Sequence, residues 1–171
     1  MAAIVDWRMH RGIMNIRKIL ILVFTHLSAV ALGFAAGIYA LPILIAPPPP
    51  SQLDIESVAL DSRYTGQFKR DLKDSDALHW GEGKVSVGEN YVAFIGNLAP
   101  GPDYKLYFSP QFVETEADFE QLRPSMQLIG DIDTFENFVI AVPPGVDLSQ
   151  FNTVIVWCET FGQFITSAKF R

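Results

Sequence analysis

The chain has 171 residues, of which 49% are hydrophobic and 19% charged, with 13 basic and 19 acidic side chains and a formal net charge of −6. That is enough for one ordinary domain and a further segment. The acidic balance argues against nucleic acid as a partner, and a lone cysteine, Cys158, rules out an internal disulfide framework.

Residues 1–18 hold Arg8, Arg11, Arg17 and Lys18 against one acid, Asp6, and read as a cytoplasmic basic segment. Residues 19–46, ILILVFTHLSAVALGFAAGIYALPILIA, carry no charge. They exceed the roughly 20 residues a helix needs to cross a bilayer about 30 Å thick, so one N-terminal transmembrane helix in contact with lipid is expected. No basic residue follows until Arg63, and beyond residue 50 there are nine basic and eighteen acidic side chains. The positive-inside bias then keeps the N-terminus in the cytoplasm and exports the rest. A short basic flank, one span and a proline-rich stalk suit a bacterial inner-membrane protein facing the periplasm. A cleaved signal peptide, with translation starting at Met14, is the rival reading. Its apolar core normally runs about 7–15 residues, and Pro42 sits awkwardly for cleavage after Ala40, so the segment is expected to remain as a signal anchor. Gly33 and Gly37 form a small-xxx-small pair that could pack two anchors or simply face lipid. His26 is an isolated imidazole in an apolar span.

Residues 47–60 open with Pro47 to Pro50, which favour extended polyproline geometry, and are expected to form a semi-rigid stalk. The folded domain is then expected over residues 61–171. Its apolar spacing is mostly two, the period of a strand with one covered face. Leu106 and Phe108 alternate with Lys105, Tyr107 and Ser109. Phe164, Thr166, Ala168 and Phe170 alternate with Lys169 and Arg171. Similar runs occupy 85–87, 91–95, 138–142 and 153–158, bounded by Gly88-Glu89-Asn90, Pro100-Gly101-Pro102-Asp103 and Pro143-Pro144-Gly145. The reading is all-β, a β-sandwich-like exported domain behind one transmembrane helix. One short connecting helix is expected after Thr115, which caps it, with Phe119 and Leu122 as its apolar face.

Cys158 ends the nearly all-apolar run Thr153–Cys158. Exported compartments oxidise thiols, so an unpaired cysteine there is buried, bound, or offered to a partner. Val154, Val156 and Cys158 share one parity, which explains the sulfur as a small core residue. A working sulfur instead needs a neighbouring cation or helix N-terminus to favour the thiolate, whereas Glu159 would act the other way if close. For a metal or cofactor the exported part offers one histidine, His79, and chiefly Met126. A blue-copper site lacks its second imidazole, while a haem held by His79 or by the Cys158 sulfur needs only one or two axial ligands. His79 also reads as an ordinary loop histidine. Asp71, Asp74 and Asp76, with Asp131 and Asp133, miss the calcium-loop spacing, and no metal site is expected. No nucleophile elbow, phosphate loop or paired-histidine zinc motif is present, so a classical hydrolase has no visible machinery.

Three blocks, GQFKRDLKDSDALHWGEGKVSV at 66–87, GPDYKLYFS at 101–109 and LSQFNTVIVWCETFGQFITSAKF at 148–170, occur in the order found in the DM-thirteen domain, also called the electron-transfer DM domain, which the exported part resembles. The resemblance rests on Gly66 and Phe68, on Gly101, Pro102 and Asp103, and above all on Trp157 and Cys158 followed by Phe161, Phe164 and Ala168. It implies a β-sandwich whose single cysteine serves redox chemistry or electron transfer with a redox protein partner. It is also similar in outline to the haem-binding DOMON domains. The function expected is a membrane-tethered extracytoplasmic electron-transfer module using Cys158. The alternative is a non-catalytic binding or envelope-assembly domain in which Cys158 is a core residue.

Overall fold

The computed structural model describes residues 15–171, so the expected flank residues Arg8 and Arg11 lie outside the described part. The chain divides into an N-terminal unit ending at Gly37 and a C-terminal unit from Ile38 to Arg171. Helix α1 runs Ile16–Ile45, 30 residues with a peak mean hydropathy of 2.2, and is long and apolar enough to cross a membrane. At about 1.5 Å per residue it is roughly 45 Å long. Two of its polar side chains bond within the helix: Thr25 Oγ1 (2.9 Å) and His26 Nδ1 (2.7 Å) both donate to the carbonyl of Leu22.

Residues expected to be extended stalk are partly helical. Helix α2, Gln52–Ala59, starts where Ser51 accepts the amide of Asp54 at 3.2 Å, a side-chain cap with an acid in the first turn. Ile55 is the one residue of this helix that is fully buried, at 1% exposure. It docks α2 onto the sheet described next, and burial of that side chain outweighs the extended preference set by the prolines upstream.

The remaining chain folds into two four-stranded antiparallel sheets. One contains β1 (Tyr64–Phe68), β2 (Gly81–Val87), β3 (Tyr91–Leu98) and β6 (Phe138–Ala141), in the order β1-β2-β3-β6. The other contains β4 (Tyr104–Ser109), β5 (Gln127–Ile132), β7 (Thr153–Cys158) and β8 (Gln163–Lys169), in the order β5-β4-β7-β8. Between the sheets lies one apolar core that includes Phe68, Val85, Phe94, Leu106, Phe108, Val154, Val156 and Cys158. This is the expected sandwich, and the alternating parity of Leu106 with Phe108 and of Val154, Val156 with Cys158 holds.

Two departures from simple alternation shape the second sheet. Its outer face is also covered: Tyr107, Val113, Phe119, Ile155, Trp157 and Phe164 form a separate buried cluster, with Leu72, Leu122 and Met126 packed against it. Helix α3 (Glu116–Leu122), capped by Thr115 as the sequence predicts, supplies Phe119 to this cluster. Tyr107, expected on an open face, is consequently buried, and all six residues of β7 are buried. The second departure is a β-bulge. Val156 pairs with Thr166 but Trp157 pairs with Phe164, which leaves Ile165 as the extra residue. Phe164 therefore turns outward beside Trp157, away from the side expected from its spacing with Ala168, while Ile165 and Ala168 face the inner core.

Candidate functional site

Cys158 is the last residue of β7 and is 2% exposed. Across the strand pair it stands opposite Tyr104, whose hydroxyl donates to the carbonyl of Ala99 at 2.9 Å. The thiol donates to the carbonyl of Pro102 at 2.9 Å. Gly101, Pro102 and Asp103 thus form a lid over the sulfur. A Cβ on Gly101 would lie 2.4 Å from the Tyr104 hydroxyl oxygen, so only glycine lets the loop close this tightly. Asp103 sits at φ 56°, a left-handed conformation in which aspartate is among the better tolerated residues. Three contacts hold it there: its carbonyl accepts the amide of Glu159 at 3.1 Å, and its carboxylate accepts Thr160 Oγ1 at 3.3 Å and Lys105 Nζ at 2.8 Å. Lys105 also reaches Asp131 at 2.9 Å, and the two carboxylates hold its ammonium well above the usual lysine range.

Burial pushes the Cys158 thiol above its ordinary pKa, and the nearby charges of Asp103 and Glu159 push the same way. The backbone N–H groups of Phe161 and Thr160, in the turn after β7, pull in the opposite direction because they favour a thiolate. At rest the group is a protonated thiol. The expectation that Glu159 disfavours the thiolate agrees in sign with its position.

Across β7 a different set of groups is gathered. Trp157 stacks on Phe119 with centroids 3.8 Å apart and planes 6° apart, and Tyr107 meets the same Phe119 ring edge-on at 5.3 Å and 83°. The Tyr107 hydroxyl donates to Glu159 Oε1 in a short hydrogen bond. Arg123, from the turn after α3, reaches both Glu159 oxygens at 2.8 and 2.6 Å. Burial, and then the Glu159 carboxylate, push the Tyr107 phenol up to about 12. The indole N–H of Trp157 is buried without a partner among the described residues. Sequence reading passed over Tyr107 and Arg123 because the three polar groups are 36 and 52 residues apart in the chain and carry no spacing signal.

The other expected residues are placed as follows. A Cβ on Gly66 would lie 2.8 Å from the carbonyl of Lys169 and 3.1 Å from Ala168 Cβ, so Gly66 and the buried Ala168 let β1 and β8 close together. Phe68 belongs to the inner core, Trp157 and Phe164 to the outer one, and Phe161 is 52% exposed on the turn beside Cys158. His79 lies apart in its contacts: its ring Nδ1 is 3.0 Å from Asp76 Oδ2, while Asp76 also accepts the amides of Leu78 and His79 at 2.7 and 2.8 Å. These bonds, led by the Leu78 amide, hold the Asp76 carboxyl below its ordinary range. Among the described residues no three His, Cys, Asp or Glu side chains converge on a possible metal position. A haem ligand needs an open approach to its donor atom. The Cys158 sulfur is enclosed and bonded to Pro102, so its surroundings do not fit a haem.

The family model described as Electron transfer DM13 matches residues 68–170. No curated protein and no solved structure matches the chain. The matched span takes in Phe68, the Gly101–Asp103 lid, Cys158 and the bulged β8, and it begins two residues after Gly66.

Proposed function

Because the chain belongs to the electron-transfer DM13 family, we propose that it is a membrane-tethered electron-transfer module on the extracytoplasmic side, periplasmic in a bacterial envelope, with Cys158 as its working atom. The apolar α1 supplies the anchor in the bilayer, and the basic residues ahead of it, Arg17 and Lys18 among them, favour a cytoplasmic N-terminus. The observation that carries this reading is the position of the sulfur. It ends a strand, lies beneath one loop through one hydrogen bond, and has two backbone N–H groups near enough to steady a thiolate. When the lid lifts, the thiol gives its proton to water. The thiolate then attacks one sulfur of a partner protein's disulfide, a mixed disulfide forms, and the partner's second sulfur leaves as a thiolate that takes up a proton. Phe161, exposed beside the site, offers that partner an apolar foothold.

The test is disulfide exchange by the full chain in detergent with a disulfide-bonded redox protein, followed as a mixed disulfide on non-reducing gels. Wild type is expected to form the adduct, Pro102→Gly to form it faster, and Cys158→Ser to form none. If both wild type and Pro102→Gly refuse thiol reagents and disulfides under native conditions, the reading fails. The 2% exposure and satisfied thiol favour a second reading, a binding or envelope-assembly domain with Cys158 as packing. In that case Cys158→Ala keeps every cellular effect of the protein.

A further inference from the structure

We propose that Tyr107 is a second, one-electron redox site, a phenol whose oxidation is coupled to transfer of its proton to Glu159. This deepens the electron-transfer reading and rests on it, but not on Cys158, which faces the other side of β7.

The groups needed are in contact. Oxidising a phenol without removing its proton leaves a strongly acidic cation, so a phenol becomes a usable electron donor where a base already accepts its hydrogen bond. Among the described residues Tyr107 is the tyrosine whose hydroxyl meets a carboxylate. Tyr104 donates to the Ala99 carbonyl, which cannot take the proton. Arg123 fixes both Glu159 oxygens at 2.8 and 2.6 Å, so the acceptor is held in place before any electron moves. Trp157 is an equally aromatic neighbour, yet its indole N–H has no acceptor among the described residues. A charge created on that indole would remain as a cation in an apolar cluster. The Phe119 ring lies against both, stacked on Trp157 at 3.8 Å and edge-on to Tyr107 at 5.3 Å, so a hole that starts on Trp157 has a short path to the phenol where it can settle. Tyr107 loses one electron to a high-potential oxidised metal centre of a partner protein, one whose potential approaches that of the phenol. Its proton passes to the Glu159 carboxylate, and the products are a neutral tyrosyl radical and a carboxylic acid. Return of one electron from the reduced centre reverses both transfers. Arg123 has a side-chain exposure of 40%, so this edge of the cluster opens to a docked partner.

The experiment is flash oxidation of the full chain in detergent by a photogenerated ruthenium(III) complex, an outer-sphere one-electron oxidant, with the radical identified by electron paramagnetic resonance. A neutral tyrosyl spectrum is expected in wild type and is lost in Tyr107→Phe, which keeps the ring and its packing. Glu159→Gln keeps a hydrogen-bond acceptor but not a base, and is expected to slow radical formation by roughly 100-fold. Circular dichroism of both variants checks that the sheets are retained. A tyrosyl signal unchanged in Tyr107→Phe, or a long-lived tryptophan radical in wild type, overturns the proposal. Cys158→Ser is expected to leave the signal intact. If instead the signal disappears with the sulfur, the radical belongs to Cys158 and the phenol assignment falls while the Cys158 reading stands.

Discussion

The two faces of β7 are both sealed from water, but by different means. On the inner face Val154, Val156 and Cys158 press into a large core made by two whole sheets. On the outer face Ile155 and Trp157 depend on a small aromatic cluster and on a seven-residue helix, with Tyr107, Glu159 and Arg123 as its polar rim. A face covered by many strands can lose a side chain and still exclude water. A face covered by one short helix is held by a few large rings, and its polar groups stay near the surface. The sulfur therefore sits on the robust side, and the ionisable groups on the fragile one.

The largest expected effect breaks the fragile face. Trp157→Ala empties the position against which Phe119 stacks and should cost about 3–5 kcal/mol. It should also release α3, so that limited proteolysis cuts within 115–126 while urea melts of the detergent-solubilised chain shift to lower midpoint. Cutting inside β4 or β7 first would show that the two faces are not independent.

Glu159→Ala comes next. It leaves the Arg123 guanidinium and the Tyr107 hydroxyl without their acceptor at a partly exposed site, for a loss of about 1–2 kcal/mol. The Tyr107 titration followed in the ultraviolet should then begin at lower pH, since the carboxylate that helps hold the phenol up to about 12 is gone.

On the inner face the expected changes are smaller. Cys158→Ala removes one sulfur from a well-covered position and should cost about 1 kcal/mol. Its pH signature is more telling. The folded thiol titrates above the ordinary value of 9.0, so the folded state keeps a proton that the unfolded state releases. The contribution to stability is complete below 9.0 and declines as the pH rises past it. Alkylation of native Cys158 should stay slow at neutral pH and rise with pH, lagging behind that of a urea-unfolded chain at every pH where the thiol is still protonated. Rapid native labelling at neutral pH would mean that the lid is open.

The smallest expected effect lies outside both faces. Asp76→Asn weakens the loop bonds to the Leu78 and His79 amides and to the His79 ring, by about 0.5 kcal/mol at this exposed position. Because Asp76 titrates below its ordinary 3.8, the wild-type bonds are retained above that pH and lost as the pH falls below it. Loop hydrogen exchange at pH 5 and pH 3 measures this.

Much of the architecture was legible because it is written in local alternation. Leu106 with Phe108 and Val154 with Val156 each declare one covered face, Thr115 declares the start of α3, and the uncharged run declares α1. Ser51 followed by Asp54 carried the signal for α2, but four prolines upstream dominated the reading, and the burial of Ile55 that completes this helix is a tertiary fact. β5 was missed because Gly130 and Asp131 interrupt its apolar pattern and a bulge between Leu106 and Tyr107 leaves Ile129 unpaired. At the site, Cys158 and the Gly101–Asp103 segment could be picked out by residue type. That the segment caps the sulfur could not, since the two are 56 positions apart. The Tyr107–Glu159–Arg123 cluster is assembled wholly by long-range pairing.

One extra residue, Ile165, works as a phase shifter. Upstream of it β8 sends Phe164 to the outer cluster beside Trp157; downstream, Ala168 and, just past the strand, Phe170 return to the core between the sheets. A strand of seven residues thereby serves two interiors at once. Deleting Ile165 would leave Phe164 and Ala168 three residues apart, so plain alternation would still send them to opposite interiors; what the deletion removes is the bend of the bulge and the aliphatic side chain that Ile165 adds to the inner core.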